Sequence, residues 1–474
     1  MRSFAMTKRL MLVAASALTL AACASGPDYA ARPVPGAAAA PFLGSATPLV
    51  STAQPAGDWW RLYRDPVLDG LVTDALAANT DVRLVVARLQ RARALLRESR
   101  SAREPQVGVG AGAQVDRSPQ GIAAGQNDTD LQLDAGLSVA YEVDLAGRIS
   151  RSVEAARGDA AAAAFEADAV RVLVVADTTR AYADAASAAE RIAVAQRIVA
   201  LLDRSLRLTE RRRVVGLATG LDTARIAALR DQRRAEVRLL EAERTAALLR
   251  LATLTGRAPR ELPAIAAVRS DILKLEQPIP VGDGAGLLAR RPDIRAAERR
   301  LAAATARIGV ATADLYPRIT LGGSAGGSGT SLSNLFNPVS WLVGPLLNWT
   351  VNRSAARDRV AVSEADTQAA LAEFDGSVLT ALQETESALS AYQRAQERRT
   401  ALAAAQVQAE AVVRRVRALQ REGQQLARTA RRRTHLCRRR GCADRERCAD
   451  RQRADRPVPG LGRQLDVVRH VKLC

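Results

Sequence analysis

Cysteine and histidine carry most of the nucleophilic, redox and metal-binding chemistry open to a protein, and in this chain they are segregated. Five cysteines and two histidines occur in 474 residues. Cys23 lies near the start, whereas Cys437, Cys442, Cys448 and Cys474 lie near the end with His435 and His470. Residues 24–434 contain neither type. A Cys/His zinc site, a thiol enzyme and a Ser-His-Asp triad are therefore excluded from the main body. Asp and Glu are plentiful, but no pair of carboxylates stands out in a setting suited to acid–base work. The expectation is a protein with no catalytic residues, no metal and no cofactor.

Charge gives a second exclusion. The net charge of +19 resembles that of a nucleic-acid binder, but its placement argues otherwise. From Leu426 to Cys474 there are fifteen Lys and Arg against five Asp and Glu, so a short tail holds about half the excess. Elsewhere the charges mix along helical stretches, as on a solvated face. Aromatic residues are only 3%, which leaves little for base stacking. No nucleic-acid partner is expected. Apolar residues are 48%, and abundant alanine suits long, closely packed helices.

The start of the chain reads as an export signal. Lys8 and Arg9 precede a short apolar run, Leu10 to Ala22, that is too short for a permanent span. The run ends Leu20-Ala21-Ala22-Cys23, which resembles the bacterial lipoprotein cleavage box. Residues 1–22 are then the signal, and Cys23 is the lipidated mature N-terminus. Its acyl chains would anchor it by burying CH₂ groups worth about 0.8 kcal/mol each. Ala24 follows, where lipoproteins kept at the inner membrane commonly have Asp. Sorting to the outer membrane is expected by that resemblance. No later stretch has 18 uninterrupted apolar residues, so a membrane crossing would need a closed barrel.

The main body is one unit written twice. Asn79-Thr80-Asp81-Val82-Arg83 opens a helix leading to Pro105, and Arg291-Pro292-Asp293-Ile294-Arg295 opens another leading to Pro317. Each Asp-to-Pro interval is 24 residues. Glycine-rich alternating sequence follows each proline, Tyr182 answers Tyr392, and Gly216 answers Gly423. Helical seams at 3-4 spacing run through Val82, Val85, Leu89, Ala92 and Leu96, and through Val194, Ile198, Leu201, Ser205 and Leu208. Strands of period two are expected at Gln106–Val115, Leu131–Val143, Pro317–Gly323 and Trp341–Val351, with polar loops at Arg117–Asp130 and Gly322–Pro338. Four strands cannot close around a lumen, so the sheet edges call for oligomerisation.

Several motifs then resemble one family, the TolC-like outer-membrane efflux factors, in their NodT-type lipoprotein branch. They are Gly26-Pro27-Asp28-Tyr29, Asp58 to Tyr63 with Asp65 to Leu68, Tyr141 to Arg148, and Leu288 to Glu298 continuing through Ile308 to Pro317. The resemblance covers residues 20–425. It implies a mixed α and β fold with long coiled-coil helices forming a periplasmic tube. Each protomer of a homotrimer would give four strands to a twelve-stranded barrel in the outer-membrane lipid. A periplasmic adaptor and an inner-membrane pump would feed this passive duct for efflux of small molecules. Val215, Gly216, Leu217, Gly220 and Asp222 resemble the family's first adaptor-docking tip, and Gly423 marks the second. Asp222 is the candidate aperture gate by that resemblance, and it is also well placed to cap the following helix. The implied division is signal 1–22, anchored segment 23–78, first repeat 79–256, connector 257–290, incomplete second repeat 291–425, and an aberrant tail 426–474. The alternative function is a structural periplasmic coiled-coil lipoprotein without a channel.

The tail breaks the pattern. After Gly423 the repeat predicts a last long helix, but Arg431-Arg-Arg, Cys437, Arg438-Arg-Arg, Cys442 and Cys448 appear instead. Their spacing matches no common zinc motif, and an exported RNA-binding arm has no aromatic platform. A shifted reading frame fits better, since back-translation of Thr434–Asp444 and Arg456–Asp466 in one alternative frame yields family-like sequence. That reading leaves the chain without its final helix and predicts poor trimer assembly.

Overall fold

The computed structural model describes residues 25–31, 36–45, 47–117, 129–261, 267, 272–275 and 277–421. The expected signal at 1–22, Cys23, Gly423 and the tail at 426–474 lie outside the described residues. The elements are α1 (Pro66–Ala78), α2 (Thr80–Ser101), β1 (Gln106–Arg117), β2 (Thr129–Val143), α3 (Arg148–Val214) and α4 (Gly220–Leu254). They continue with α5 (Gly284–Arg290), α6 (Pro292–Ala313), β3 (Arg318–Gly329), β4 (Ser340–Asn348) and α7 (Ser354–Arg421). Val50–Ser51 also pairs in parallel with Ile279–Pro280.

The duplication is plain in the elements. Helix α2 and helix α6 each have 22 residues, strands β1 and β3 each have 12, and α3 and α7 have 67 and 68. Local chemistry starts the helices. Asp65 accepts hydrogen bonds from the Val67 and Leu68 amides at 2.9 and 3.3 Å, with Pro66 at the first helical position of α1. Asn79 accepts from the Asp81 amide at 2.8 Å ahead of α2, and Asp144 accepts from Ile149 at 2.9 Å and Ser150 at 2.8 Å ahead of α3. Helices α2 and α6 end shortly before Pro105 and Pro317, as proline requires.

The chain divides into two compact units, each drawing on both repeats. The first takes residues 1–32, 88–164 and 296–376, and the second 33–87, 165–295 and 377–474. The first unit holds a four-stranded antiparallel meander in the order β1-β2-β3-β4. The largest departures from the expected strands are at two strand ends. Strand β3 runs on to Gly329, within what was expected to be loop, because its Gly and Ser residues pair with β2 as far as Leu133. Strand β4 stops at Asn348 rather than Val351, where its partner ends at Arg318.

The second unit carries the main apolar core. Trp59, Tyr63, Leu68, Leu71, Val72, Val175, Tyr182, Leu251 and Leu273 pack together. Tyr182 donates to buried Asp65 at 3.2 Å. Between α3 and α4, Ala195, Val237 and Leu240 form a smaller cluster with Ile192 and Val199. In α2 the expected seam holds, with Val82 and Val85 buried and Leu89, Ala92 and Leu96 partly so. In α3 it shifts: Leu202 and Leu206 are buried, while Leu201 and Leu208 are exposed. A straight 3.6-residue helix drifts against a 3.5-residue pattern, so the buried stripe moves to the neighbouring residues.

Candidate functional site

The meander has two chemically distinct faces. Register places Val107, Val109, Leu137, Val139, Tyr141, Leu321, Trp341, Val343 and Leu347 on one side. Most are exposed; Trp341 keeps 76% of its surface open and Val109 84%. A shallow depression on this face is lined by Leu137, Val139, Tyr141, Leu321, Trp341 and Val343. The opposite side presents Gly108, Gly110, Gly112, Gln114, Gln132, Asp134, Ser138, Thr320, Ser324 and Ser340. Leu342 and Leu346 are exceptions there, and Leu346 leans over Gly322. From Leu131 to Val143 the apolar face runs twelve steps, about 40 Å along the strand. At the tilt usual in membrane barrels that covers roughly 30 Å, enough for the apolar band of an outer membrane. Among the described residues, strands β1 and β4 each leave one edge unpaired.

At the end of this sheet the chain's first described residues are locked down. The Ser25 amide donates to the Ala146 carbonyl at 3.1 Å, three residues beyond β2. Arg151 of α3 is 4% exposed. It donates from Nε to the Ser25 carbonyl at 3.1 Å, and from Nη2 to the Gly26 carbonyl at 3.4 Å and Asp28 at 2.6 Å. Its Nη1 reaches Glu154 at 2.8 Å. Burial works against this charge, but the hydrogen bonds to Asp28 and Glu154 outweigh it and raise the pKa. Gly26 has φ +84°, and a side chain there would strike Gly309. Ser25, Gly26 and Asp28 are thus fixed beside the sheet's helical end.

The tip expected from Val215 to Asp222 is a tight helical turn. Helix α3 ends in a Schellman motif: the Leu217 amide donates to Arg212 at 2.8 Å and the Gly216 amide to Arg213 at 3.0 Å. Gly216 has φ +76° with open space around it. Thr219, not Asp222, is the N-cap of α4. The helix begins at Gly220, so Asp222 falls in the third helical position. The two residues form a capping box, with the Asp222 amide donating to Thr219 Oγ1 at 3.2 Å and the Thr219 amide to Asp222 Oδ2 at 3.1 Å. Val215 and Leu217 are 67% and 74% exposed.

Some structurally decisive groups carry no local sequence signal. Arg291, inside the Leu288–Glu298 motif, is almost wholly buried and donates to Asp293 at 2.8 Å and to buried Glu384 at 2.9 Å. Burial disfavours its charge, yet the bonds and charges of the two carboxylates raise its pKa above the usual value. Glu384 lies on α7, 93 residues away, and Arg151 meets Ser25, Gly26 and Asp28 across more than 120 residues. Only a fold places such pairs. Among the described residues no group of three or more Cys, His, Asp or Glu is arranged to hold a metal ion, and no helix is long and apolar enough to cross a membrane.

Comparison with known proteins agrees with this arrangement. Residues 71–257 and 286–431 match the family described as Outer membrane efflux protein. The chain is 33% identical over 382 residues to outer membrane protein OprJ of Pseudomonas aeruginosa, covering 79% of each. It is 28% identical over 382 residues to nodulation protein T of Rhizobium leguminosarum bv. trifolii, covering 80% of each. Among solved structures, the outer-membrane channel OprN is similar with a TM-score of 0.84 and 33% identity, covering 93% of this chain and 99% of that one. The chain belongs to the outer membrane efflux protein family, a family of TolC-like ducts and not of enzymes, and its place is the outer membrane.

Proposed function

We infer that this protein is the exit duct of an efflux system, and that it works as a homotrimer. The two-faced sheet with open edges carries this reading. Three such sheets joined edge to edge would remove every open edge. They would give lipid an apolar wall and enclose a lumen of small and polar side chains. The exposed Leu201 and Leu208 stripe on α3 fits helix packing between protomers. Transport through such a lumen is passive, so energy must come from an inner-membrane pump, joined to the duct by a periplasmic adaptor. A relative in Pseudomonas putida, TtgF, bears the name toluene efflux pump outer membrane protein.

Lipidated Cys23 would hold the N-terminus at the membrane face, which suits the lock that Arg151 makes on Ser25, Gly26 and Asp28. Val215, Gly216, Leu217 and Gly220 would dock the adaptor, with Gly423 in the second tip. Asp222 would gate the aperture, although its carboxylate is already committed to the capping box. The repeat division, with 79–256 and 291–425 as the two units and 257–290 between them, follows the paired helix and strand lengths. The family match ends at residue 431, close to where the anomalous tail begins at 426.

The test is ion conductance of the purified, detergent-extracted protein in planar bilayers. A duct gives discrete channel openings and heat-modifiable trimers on gels. A coiled-coil lipoprotein without a channel gives neither.

A further inference from the structure

The apolar side of the meander ends, where β4 gives way to α7, in residues that the fold itself does not use. Trp341, Val343 and Leu347 lie on that side, and the same alternation leads past Asn348 to Trp349. Trp349 Nε1 donates to the Leu315 carbonyl at 3.4 Å, in the turn after α6. Tyr316, the next residue, is 53% exposed. The Arg353 guanidinium lies over the Trp349 ring, 5.3 Å from its centroid. Arg357 follows one helical turn later on the same face, its amide donating to the Arg353 carbonyl at 2.9 Å. Trp and Tyr beside Arg is the composition that settles at a membrane–water interface, with apolar bodies on one side and polar tips on the other.

Positive charge is in excess at this junction. A helix start carries partial positive charge, which favours acidic residues and disfavours arginine. Helix α7 has no acidic residue in its first turn, yet Arg353, Arg357 and Arg359 crowd its start. The matching junction of the first repeat is balanced. Arg148, five residues past the end of β2, donates twice to Glu142, at 2.8 and 2.6 Å. Arg353 also stands five residues past the end of its strand, but no Asp or Glu occurs from Ser340 to Arg357. Asp314, in the neighbouring turn, is taken by Arg318 and by Arg359, the latter at 3.8 Å. Asp358 is exposed and lies about 100° round the helix from Arg357. Among the described residues, no ion pair engages Arg353 or Arg357.

We propose that Arg353, Arg357, Trp349 and Tyr316 bind the headgroup of an anionic phospholipid in the leaflet that meets the helical end of the sheet. The two guanidinium groups take the phosphate and the remaining headgroup charge. Trp349 and Tyr316 pack at the level of the glycerol, and the acyl chains run along Val343 and Leu347. Continuity with the apolar face selects a lipid over a free anion, which would have no use for that face. The proposal rests on the duct reading, which puts the sheet in a membrane, and adds a lipid preference that a duct does not require.

The test is native mass spectrometry of the detergent-extracted full chain, offered phosphatidylglycerol and phosphatidylcholine with the same acyl chains. The site lies within one protomer, so retained lipid can be read on monomers and trimers alike. The unsubstituted chain should retain phosphatidylglycerol preferentially. Each of Arg353→Gln and Arg357→Gln should lower that preference about fivefold, and the double variant about thirtyfold. Arg353→Lys with Arg357→Lys should keep most of it. The single variants decide the matter if the double variant does not fold. Equal retention of the two lipids, or an unchanged preference in the variants, overturns the proposal. So does displacement of the lipid by inorganic phosphate beyond that caused by chloride at equal ionic strength, which marks a free-anion site. Variants that shift trimers to monomers without changing the preference assign the arginines to a contact between protomers and overturn it as well. Bilayer conductance separates this proposal from the duct reading. Channels in an unsubstituted chain without a lipid preference leave the duct standing, and an absence of channels there removes the duct itself.

Discussion

Arg291 and Arg151 do comparable work at two places. Each is a buried guanidinium whose charge is kept because carboxylates and carbonyls surround it. Arg291 joins the start of α6 to α7 through Glu384, which is itself only 3% exposed. Removing one member of a buried pair is costly because the other charge stays buried, typically by about 3–5 kcal/mol. Asp293 remains beside Arg291, so Glu384→Ala should lie near the lower end, about 3 kcal/mol. Equilibrium urea unfolding of the detergent-solubilised protein reads this loss, and Glu384→Asp should recover part of it. The Cys23 reading has a separate test at this scale. Cells fed radiolabelled palmitate should label the unsubstituted chain and leave Cys23→Ser unlabelled, and equal labelling of both would end the lipoprotein assignment. The motif around Arg291 was legible in the sequence and points to the family. Its physical role was not, because the partner that explains it is 93 residues distant.

Elements were legible where a single period dominates. From Leu131 onward strand β2 alternates apolar residues with polar or small ones, and its expected span differs from the observed one only at the start. Strand β3 is different. Its second half, Gly322 to Gly329, reads as loop because Gly and Ser carry no alternation. Backbone pairing with β2 makes it strand all the same. Seams behave similarly. The stripe on α2 was legible, whereas that on α3 slid by one residue because neighbouring positions there are also apolar. The two-faced sheet makes a sharp prediction. Leu137→Arg puts a charge on the lipid side and should cost about 2–4 kcal/mol near mid-membrane. Ser138→Arg, one residue on, faces the small and polar side and should be tolerated. Recovery of heat-modifiable protein from outer membranes should fall for the first and persist for the second. Equal behaviour would mean that the faces do not see different solvents.

At the scale of the whole molecule, the two repeats differ in the sequence that follows their long helices. The first repeat has a long helix, a capped turn at Gly216 to Thr219, and a return helix, α4, whose Val237 and Leu240 pack on Ala195. The second has the matching long helix, α7, whose described part ends at Arg421. The sequence that follows loses apolar periodicity and becomes Arg-rich and Cys-rich. A return helix like α4 buries a stripe on its partner, so a chain lacking one leaves apolar surface on α7, where Val407 and Val412 are exposed. Resequencing the gene from the Gly423 codon onward should reveal a one-frame discrepancy. A chain rebuilt in the corrected frame should then give heat-stable trimers in outer-membrane fractions, while the chain as written should yield few. If the written sequence is confirmed and its product assembles as well as the rebuilt one, the last helix is dispensable. The tube would then close without a return helix against α7, contrary to the packing logic that the first repeat displays.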